Sequence, residues 1–201
     1  MPGFTRLEAV NRMLEASGEQ PVNTLLSDGV NDTDLAQSIL DTTIIEVLSQ
    51  GWSFNTRYKK LYRDSDQKIV LSDNILHFTP WGEHLYCSLS QLGNYLYDNY
   101  NDRDTFPDDE YVELKLIYKW DYDDIPTDVQ LFIADKAARD YQMKTQRSRE
   151  ADAYLAETLF MSQARARASD LRTRNSNVNR NGYGNQWNQT SRNRYGLRGY
   201  F

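Results

Sequence analysis

The stretch DLAQSILDTTIIEVLSQGWSFN, residues 34–55, decides the fold, because it joins a long helix directly to an aromatic, strand-like segment. Asp32 or Asp34 would cap the start of the helix, and Gly51 would end it in the left-handed conformation that glycine tolerates. Since no linker separates the helix from the strands, both are expected to share one core. The apolar residues of the helix recur at three- and four-residue steps, typical of one helix face: Leu35, Ile39, Ile44, Val47 and Leu48.

Residues 52–120 consist of short aromatic and β-branched runs separated by turn formers, which predicts a small, mostly antiparallel sheet. Trp52 and Phe54 begin this region and would point to the same side, as alternate residues of a strand do. The predicted runs are 52–61, 68–71, 75–78, 84–89, 95–97 and 111–120.

Helical periodicity before and after this region predicts a helix bundle. The predicted fold class is therefore α+β: an antiparallel helix bundle with an inserted small, mostly antiparallel sheet and a disordered C-terminal arm. Thr5 and Glu8 form a capping box, and Pro126 would occupy the first position of the third helix. The predicted helices span about 5–17, 33–50, 127–145 and 150–172. The side chains expected to face the core from the third helix are Val129, Phe132, Ile133, Ala137 and Tyr141, and those from the fourth are Tyr154, Leu155, Leu159 and Ala166.

Composition excludes several classes of protein. With 39% hydrophobic and 26% charged residues among 201, most of the chain should fold around a core. No apolar run is long enough to span a membrane, and the N-terminus does not have the pattern of a secretory signal. The single cysteine, Cys87, excludes an internal disulfide and is typical of proteins made in a reducing cytoplasm.

The charge is divided unevenly along the chain. Residues 174–201 hold five arginines and no acid, so the net charge of −6 leaves −11 for residues 1–173. This division predicts a folded domain at 1–173 and a flexible Asn/Gly/Arg-rich arm at 174–201, disordered until it meets a partner. The arm fits either nucleic acid or another protein, and its composition favours the protein. The candidate partner-binding residues are Arg174, Arg180, Tyr183, Trp187, Arg192, Arg194, Tyr195, Arg198, Tyr200 and Phe201.

Neither metal nor catalytic chemistry is indicated. His84 and Cys87 have the spacing of half a zinc site, but strand alternation would place them on opposite faces, and His77 alone does not complete the set. The acidic run 98–110 departs from the EF-hand pattern and fits a solvated loop. The sequence contains no phosphate-binding loop and no nucleophile elbow, and its two histidines and one cysteine offer few residues for a catalytic triad. We therefore expect no enzyme activity, no cofactor and no metal.

Three segments of the sequence form a characteristic set: Ala9-Val10-Asn11 to Met13-Leu14 with Gly18-Glu19-x-Pro21-Val22; Ala36 to Leu40 with Ser49-x-Gly51-Trp52-x-Phe54-Asn55; and Tyr122 to Pro126 with Ala137-Ala138-Arg139-x-Tyr141-Gln142. In their order and spacing they resemble the tail tubular protein A family of short-tailed, T7-like bacteriophages, also called tail gatekeepers or head-to-tail adaptors. The resemblance covers about residues 7–145, and the G-W-x-F-N and D-I-P motifs are its most specific parts. The arginine-rich end lies beyond it.

The resemblance implies a structural virion protein, in the tail at the portal vertex and assembled in the host cytoplasm. Its relatives form a twelve-subunit ring between the portal protein and the tail nozzle (tail tubular protein B), near the attachment of the tail fibres. DNA passes through the channel of such a ring without sequence-specific binding. The resemblance transfers no active site; Gly51, Trp52, Phe54 and Pro126 are expected to be structural.

Two hypotheses follow from charge, and one alternative function stays open. The acidic body would line the channel and repel phosphate, so that the genome slides. The arm would order against the portal, although the nozzle or DNA are other possible targets. The alternative function is a tail-associated cell-wall hydrolase, in which a carboxylate such as Glu110 or Asp124 would act, provided that a paired acid had a raised pKa.

Overall fold

The computed structural model describes residues 3–26 and 31–174, which form four α-helices and five β-strands, and confirms the α+β prediction. The arm, predicted to be disordered, lies outside the described residues from position 175 onward. The helices are α1 (Arg6–Ala16), α2 (Asn31–Leu48), α3 (Thr127–Thr145) and α4 (Arg149–Thr173). The strands are β1 (Thr56–Tyr62), β2 (Ile75–Pro80), β3 (Leu89–Leu92), β4 (Tyr95–Asp98) and β5 (Tyr111–Tyr118).

Helix α3 is the centre of the bundle, because it packs against α1, α2 and α4. Thr5 caps α1 and forms the predicted capping box with Glu8. Pro126 is the N-cap residue of α3 rather than its first helical residue, with an extended ψ of 136°. The predicted core face of α3 is confirmed, since each of its members is at most 3% exposed: Val129, Phe132, Ile133, Ala137 and Tyr141.

The buried face of α2 differs in part from the prediction. Leu35, predicted to be in the core, is 41% exposed, whereas Ala36 and Leu40 are fully buried. Leu35 and Ala36 are neighbours in the sequence, and it is the small Ala36 side chain that belongs to the helix core. Asp32 and Asp34 lie in the first turn of α2 and not at its N-cap, where their charge favours the positive end of the helix dipole.

Helix α4 is the most exposed of the four. Its buried residues are Ser162, Ala166 and Asp170, and Leu159 packs against the core from a half-buried position. Tyr154, predicted to face inward, is 72% exposed, and Leu155 is half-buried. The correction has a simple cause: among the helices, α4 packs mainly against α3, so only a narrow stripe of its surface is covered.

The strands form a three-stranded sheet in the order β1-β5-β2 and a separate hairpin, β3-β4, all antiparallel. The sheet has a core of its own, so the expectation of one shared core is wrong. This second cluster consists of Ile69, Leu71, Leu96, Phe106, Val112, Leu114 and Leu116. Phe54, Leu76 and Trp120 pack instead against the helix core and thereby connect the two parts.

Three predicted strand segments have other structures. Residues 52–55 form a turn, and β1 begins only at Thr56. Residues 82–84 form a 3₁₀ turn, so the strand alternation invoked for His84 and Cys87 does not exist. In the run 68–71, Val70 makes an isolated bridge to Tyr95. Aromatic and β-branched composition thus identified the β-rich region correctly but placed several of its boundaries wrongly.

Candidate interaction surface

The residues predicted to be structural lie at one place, except for Pro126. Gly51, Trp52 and Phe54 belong to the joint, by which we mean residues 51–55 between α2 and β1. Of the predicted partner-binding residues, Arg174 is described and contacts this joint; the others, from Arg180 to Phe201, lie outside the described residues.

The aromatic residues of the joint, Trp52 and Phe54, pack against one another, and the Trp52 indole is also hydrogen-bonded. Gly51 has the predicted left-handed conformation, with φ of 76°. Trp52 is 1% exposed, and its indole N–H donates to the carbonyl of Val47 at 2.7 Å. Its ring lies 6.4 Å from that of Phe54 and 6.2 Å from that of Phe132 on α3. Trp52 and Phe54 thus face one core, although they do so from a turn.

Asn55 holds the two parts of the molecule together through its fully buried side chain. Its amide nitrogen donates to the carbonyl of Leu48 at 3.0 Å and to that of Tyr118 at 2.9 Å. Its amide oxygen accepts the N–H of Trp52 at 2.8 Å. One side chain therefore links the end of α2, the joint and the last residue of β5.

The C-terminal end of α4 completes the joint. The carboxylate of Asp170, 8% exposed, accepts the N–H of Ser53 at 2.7 Å and pairs with Arg174 Nε at 2.9 Å. Arg174 also donates to the carbonyl of Gly51 at 3.1 Å. Arg167 lies over the Trp52 ring, 4.9 Å from its centre, and donates to the Gln50 side chain. The spacing of these three α4 residues places them on one helix face.

Beside the joint lies a basic recess of about 560 Å³, the main candidate for an interaction surface. In the part of the chain that the structure describes, Lys115 and Arg167 have no carboxylate within ion-pair distance. Arg174 supplies a third positive charge, which Asp170 partly balances. The residues that define the recess are Gln50, Thr56, Tyr58, Lys115, Arg167 and Arg174.

Aromatic side chains continue from the recess along the outer face of the three-stranded sheet. Tyr58, opposite Lys115 in the sheet, lies 4.7 Å from Trp81, and both rings are about half exposed. Farther along, Tyr62 lies 5.7 Å from Tyr111, and Lys60 lies 3.9 Å from the centre of the Tyr111 ring. Exposed rings next to cations form a surface suited to a partner.

The acidic loop 98–110 is held mainly by its own hydrogen bonds. Asp98 accepts the backbone N–H groups of Tyr100 and Asn101. Burial raises the pKa of Asp98, but the hydrogen bonds from Asn101 and Tyr100 outweigh it and hold the pKa below its ordinary value. Lys68 pairs with Asp104, and Arg103 with Asp108. These carboxylates thus stabilise the loop, as the solvated-loop interpretation expected.

A second recess, of about 400 Å³, lies between α1, α3 and α4. The buried carboxylate of Asp135 pairs there with Arg12 at 2.6 Å. Burial raises the pKa of Asp135, against the opposing effects of the Ser162 hydroxyl and Arg12. The pair joins α1 to α3 and has an evident structural role.

Of the histidines and acids considered for chemistry, His84 and Asp109 lie close together, with 3.8 Å between Nε2 and Oδ1. Within residues 3–26 and 31–174, no three His, Cys, Asp or Glu side chains form a group that could hold a metal ion. His84 Nδ1 instead accepts the N–H of Glu113. Glu110 and Asp124 lie beyond opposite ends of β5, whose length is roughly 26 Å. Paired carboxylates in glycoside hydrolysis are about 5–10 Å apart.

Asn55, Lys115, Arg167 and Asp170 were missed as site residues in the sequence. A signal exists for α4, because Arg167, Asp170 and Arg174 recur at three- and four-residue steps and so share one helix face. No sequence signal indicates that Lys115 lies near these residues, since its position beside the recess depends on the register of β1 and β5.

Comparison with known proteins places the chain in one family. Residues 7–178 match the model of a family described as tail tubular protein. A search of curated proteins finds no match. None of the described helices is long and apolar enough to cross a membrane.

Proposed function

This chain belongs to the tail tubular protein family of phages and is a structural protein of the virion tail, and we propose that it forms the ring adaptor between the portal and the tail nozzle. The observation that carries the proposal is the extent of the family match, which includes all four helices and the strands between them. The shared unit is therefore the complete body of bundle and sheet. We propose that this body is located at the portal vertex and is assembled in the host cytoplasm.

A ring requires head-to-tail contacts, in which each subunit offers two different surfaces that fit one another. Exposed apolar side chains at both ends of the molecule support this use. Tyr154, Phe160 and Met161 on α4 are each more than half exposed, and Tyr86 and Tyr100 at the β end are 96% and 88% exposed. We propose a closed ring of twelve subunits, with the nozzle protein and the tail fibres as neighbours.

The charge of the body supports a channel for DNA. Residues 1–173 carry a net charge of −11, and twelve copies around a duct would repel the phosphates of the genome. Such a lining lets DNA slide during ejection, because the repelled phosphates do not adhere to the wall of the duct.

We propose that residues 1–173 are the adaptor domain and that residues 174–201 are an arm that orders on the portal. Arginine and aromatic side chains in the arm would supply the contacts, with Arg174 fixed to the body through Asp170. Deleting residues 175–201, which leaves Arg174 in place, should weaken binding to the portal at least tenfold. A variant with the arm's aromatics changed to serine and its arginines kept serves as the matched comparison. Undiminished binding of the truncated chain would contradict the role of the arm.

The proposed role depends on interfaces and needs no catalysis. A turbidity assay on purified cell walls tests this part of the proposal, and we expect no clearing by the purified protein. Clearing that disappears on changing Glu110 or Asp124 to the amide would support the hydrolase alternative instead.

Light scattering of the purified protein, alone and with the cognate portal ring, tests the adaptor role. We expect a monomer alone and a complex with twelve added copies on the portal. Failure to bind the portal at low salt would overturn the proposal.

A further inference from the structure

We propose that the basic recess binds the phosphate groups of nucleic acid, independently of base sequence. Nothing in the family match assigns a ligand to this recess, which lies between the start of β1, the strand β5 and the end of α4. The inference rests on the recess itself and stands whether or not the chain forms a ring.

The positive charge in the recess is largely unbalanced. Lys115 makes no hydrogen bond or ion pair to any described residue, and Arg167 contacts only an amide and a ring. Asp170 is the one carboxylate that the cations of the recess contact within the described chain. An anionic ligand would supply the missing counter-charge.

The two arginines are already held in place. The Trp52 ring and Gln50 fix the Arg167 guanidinium, and Asp170 with the Gly51 carbonyl fixes that of Arg174. A guanidinium carries five N–H donors, so both side chains keep donors beyond those used in the described contacts. Because little side-chain entropy is lost on binding, pre-positioned arginines suit phosphate, which they can contact through two N–H groups at once.

The surroundings favour nucleic acid over an acidic protein segment. Tyr58 and Trp81 form an exposed aromatic surface directly beside Lys115, on which bases or sugars can pack. In the sequence, residues 175–201 contain four more arginines and no acid. A long, regularly charged polyanion matches this arrangement. If the ring proposal also holds, the recess would retain the genome at one level of an otherwise repelling channel.

The test is the salt dependence of binding to a fluorescent 20-base-pair duplex, measured by anisotropy with the full chain. Each phosphate contact contributes about 0.9 to the slope of log affinity against log salt concentration. The double variant Lys115→Gln/Arg167→Gln should therefore bind more weakly and with a slope less steep by about two. Lys115→Gln alone should reduce the slope by about one. Among the described residues the Lys115 side chain has no hydrogen bond or ion pair to lose, so this variant separates binding from folding.

The matched control is Lys144→Gln/Arg149→Gln, which removes the same charge at the junction of α3 and α4. Arg149 lies roughly 27 Å from Arg167 along α4. This control variant should leave the slope unchanged. The same slope for all variants, no binding by the natural sequence, or equal competition by polyglutamate would each overturn the assignment. The last of these results would identify an acidic protein segment as the ligand.

Discussion

The side chain of Asn55 forms hydrogen bonds with three backbone groups, those of Leu48, Trp52 and Tyr118. Each of these residues belongs to a different part of the chain. The asparagine of the G-W-x-F-N motif therefore has a structural role, because its amide bonds to α2, the joint and β5 at once. Other motif residues behave likewise, since Asn11 bonds to Val22 and the Tyr141 hydroxyl donates to Glu19.

Asn55→Ala should destabilise the protein by about 2–4 kcal/mol, because it removes three hydrogen bonds and leaves the Trp52 N–H and the Tyr118 carbonyl without the partner that Asn55 supplies. Chemical denaturation followed by tryptophan fluorescence measures the loss, with the exposed Asn99→Ala as control. A loss for Asn55→Ala as small as that for Asn99→Ala would contradict the role given to the side chain.

Gly51 is constrained in two ways. Its φ of 76° disfavours other residues, and a Cβ there would lie 2.9 Å from Ile117 Cδ1. Gly51→Ala should therefore cost about 2–3 kcal/mol, the sum of backbone strain and crowding. Gly93→Ala is the matched control, since Gly93 has φ of 60° but open space around it, and it should cost about 1 kcal/mol. Thermal melting distinguishes the two; equal losses would mean that crowding against Ile117 is unimportant.

At the scale of elements, the end of α4 is expected to stabilise the joint rather than merely to extend the bundle. A chain ending after Ala166 lacks Arg167, Asp170 and Arg174, and Ser53 then loses its hydrogen-bond partner. We expect a loss of about 2–3 kcal/mol, or roughly 5–10 °C in the melting midpoint. A chain ending after Arg174 should melt like the full chain. Identical midpoints for both truncations would remove α4 from the account of the joint.

The start of α1 should be sensitive to acid. The backbone N–H and hydroxyl of Thr5 donate to the Glu8 carboxylate and hold its pKa below the ordinary value. Because the folded-state pKa is lowered, the stabilisation is complete above the unfolded-state pKa of about 4.3 and is lost as the pH falls through the lower folded value.

Glu8→Gln keeps a side chain that can accept the same bonds but cannot titrate. Its stability should therefore vary less with pH between about 5 and 3 than that of the natural sequence. Denaturant midpoints measured across this range provide the test, with the exposed Glu15→Gln as control. A pH dependence unchanged by Glu8→Gln would contradict the assigned capping box.

Elements with strong periodicity could be predicted from the sequence, whereas their surroundings could not. The prediction of the core face of α3 was correct because α1, α2 and α4 all pack against this helix. Tyr154 and Leu35 were placed in the core wrongly, since periodicity shows which residues share a face and not whether a neighbour covers that face. The sequence predicted a strand at 52–55 because its aromatic residues are typical of strands. The structure has a turn there, in which the Asn55 side chain bonds to Leu48, Trp52 and Tyr118.

For the whole molecule, the main difference between expectation and structure is the number of cores. The helix bundle and the sheet each bury their own apolar cluster and meet through Phe54, Leu76 and Trp120. The sequence could not reveal that there are two cores. Ile69, Leu96 and Phe106 are far apart in the chain, and the loops around the hairpin bring them together. The basic recess was likewise invisible, since it is assembled from α4, β1 and β5.

A cryo-electron microscopy reconstruction of the portal vertex in the purified virion would test the adaptor assignment most directly. The account predicts twelve copies of the bundle-and-sheet body between the portal and the nozzle, arranged around a channel that contains DNA. Density for this chain at any other position, or a portal that contacts the nozzle without an intervening ring, would contradict it.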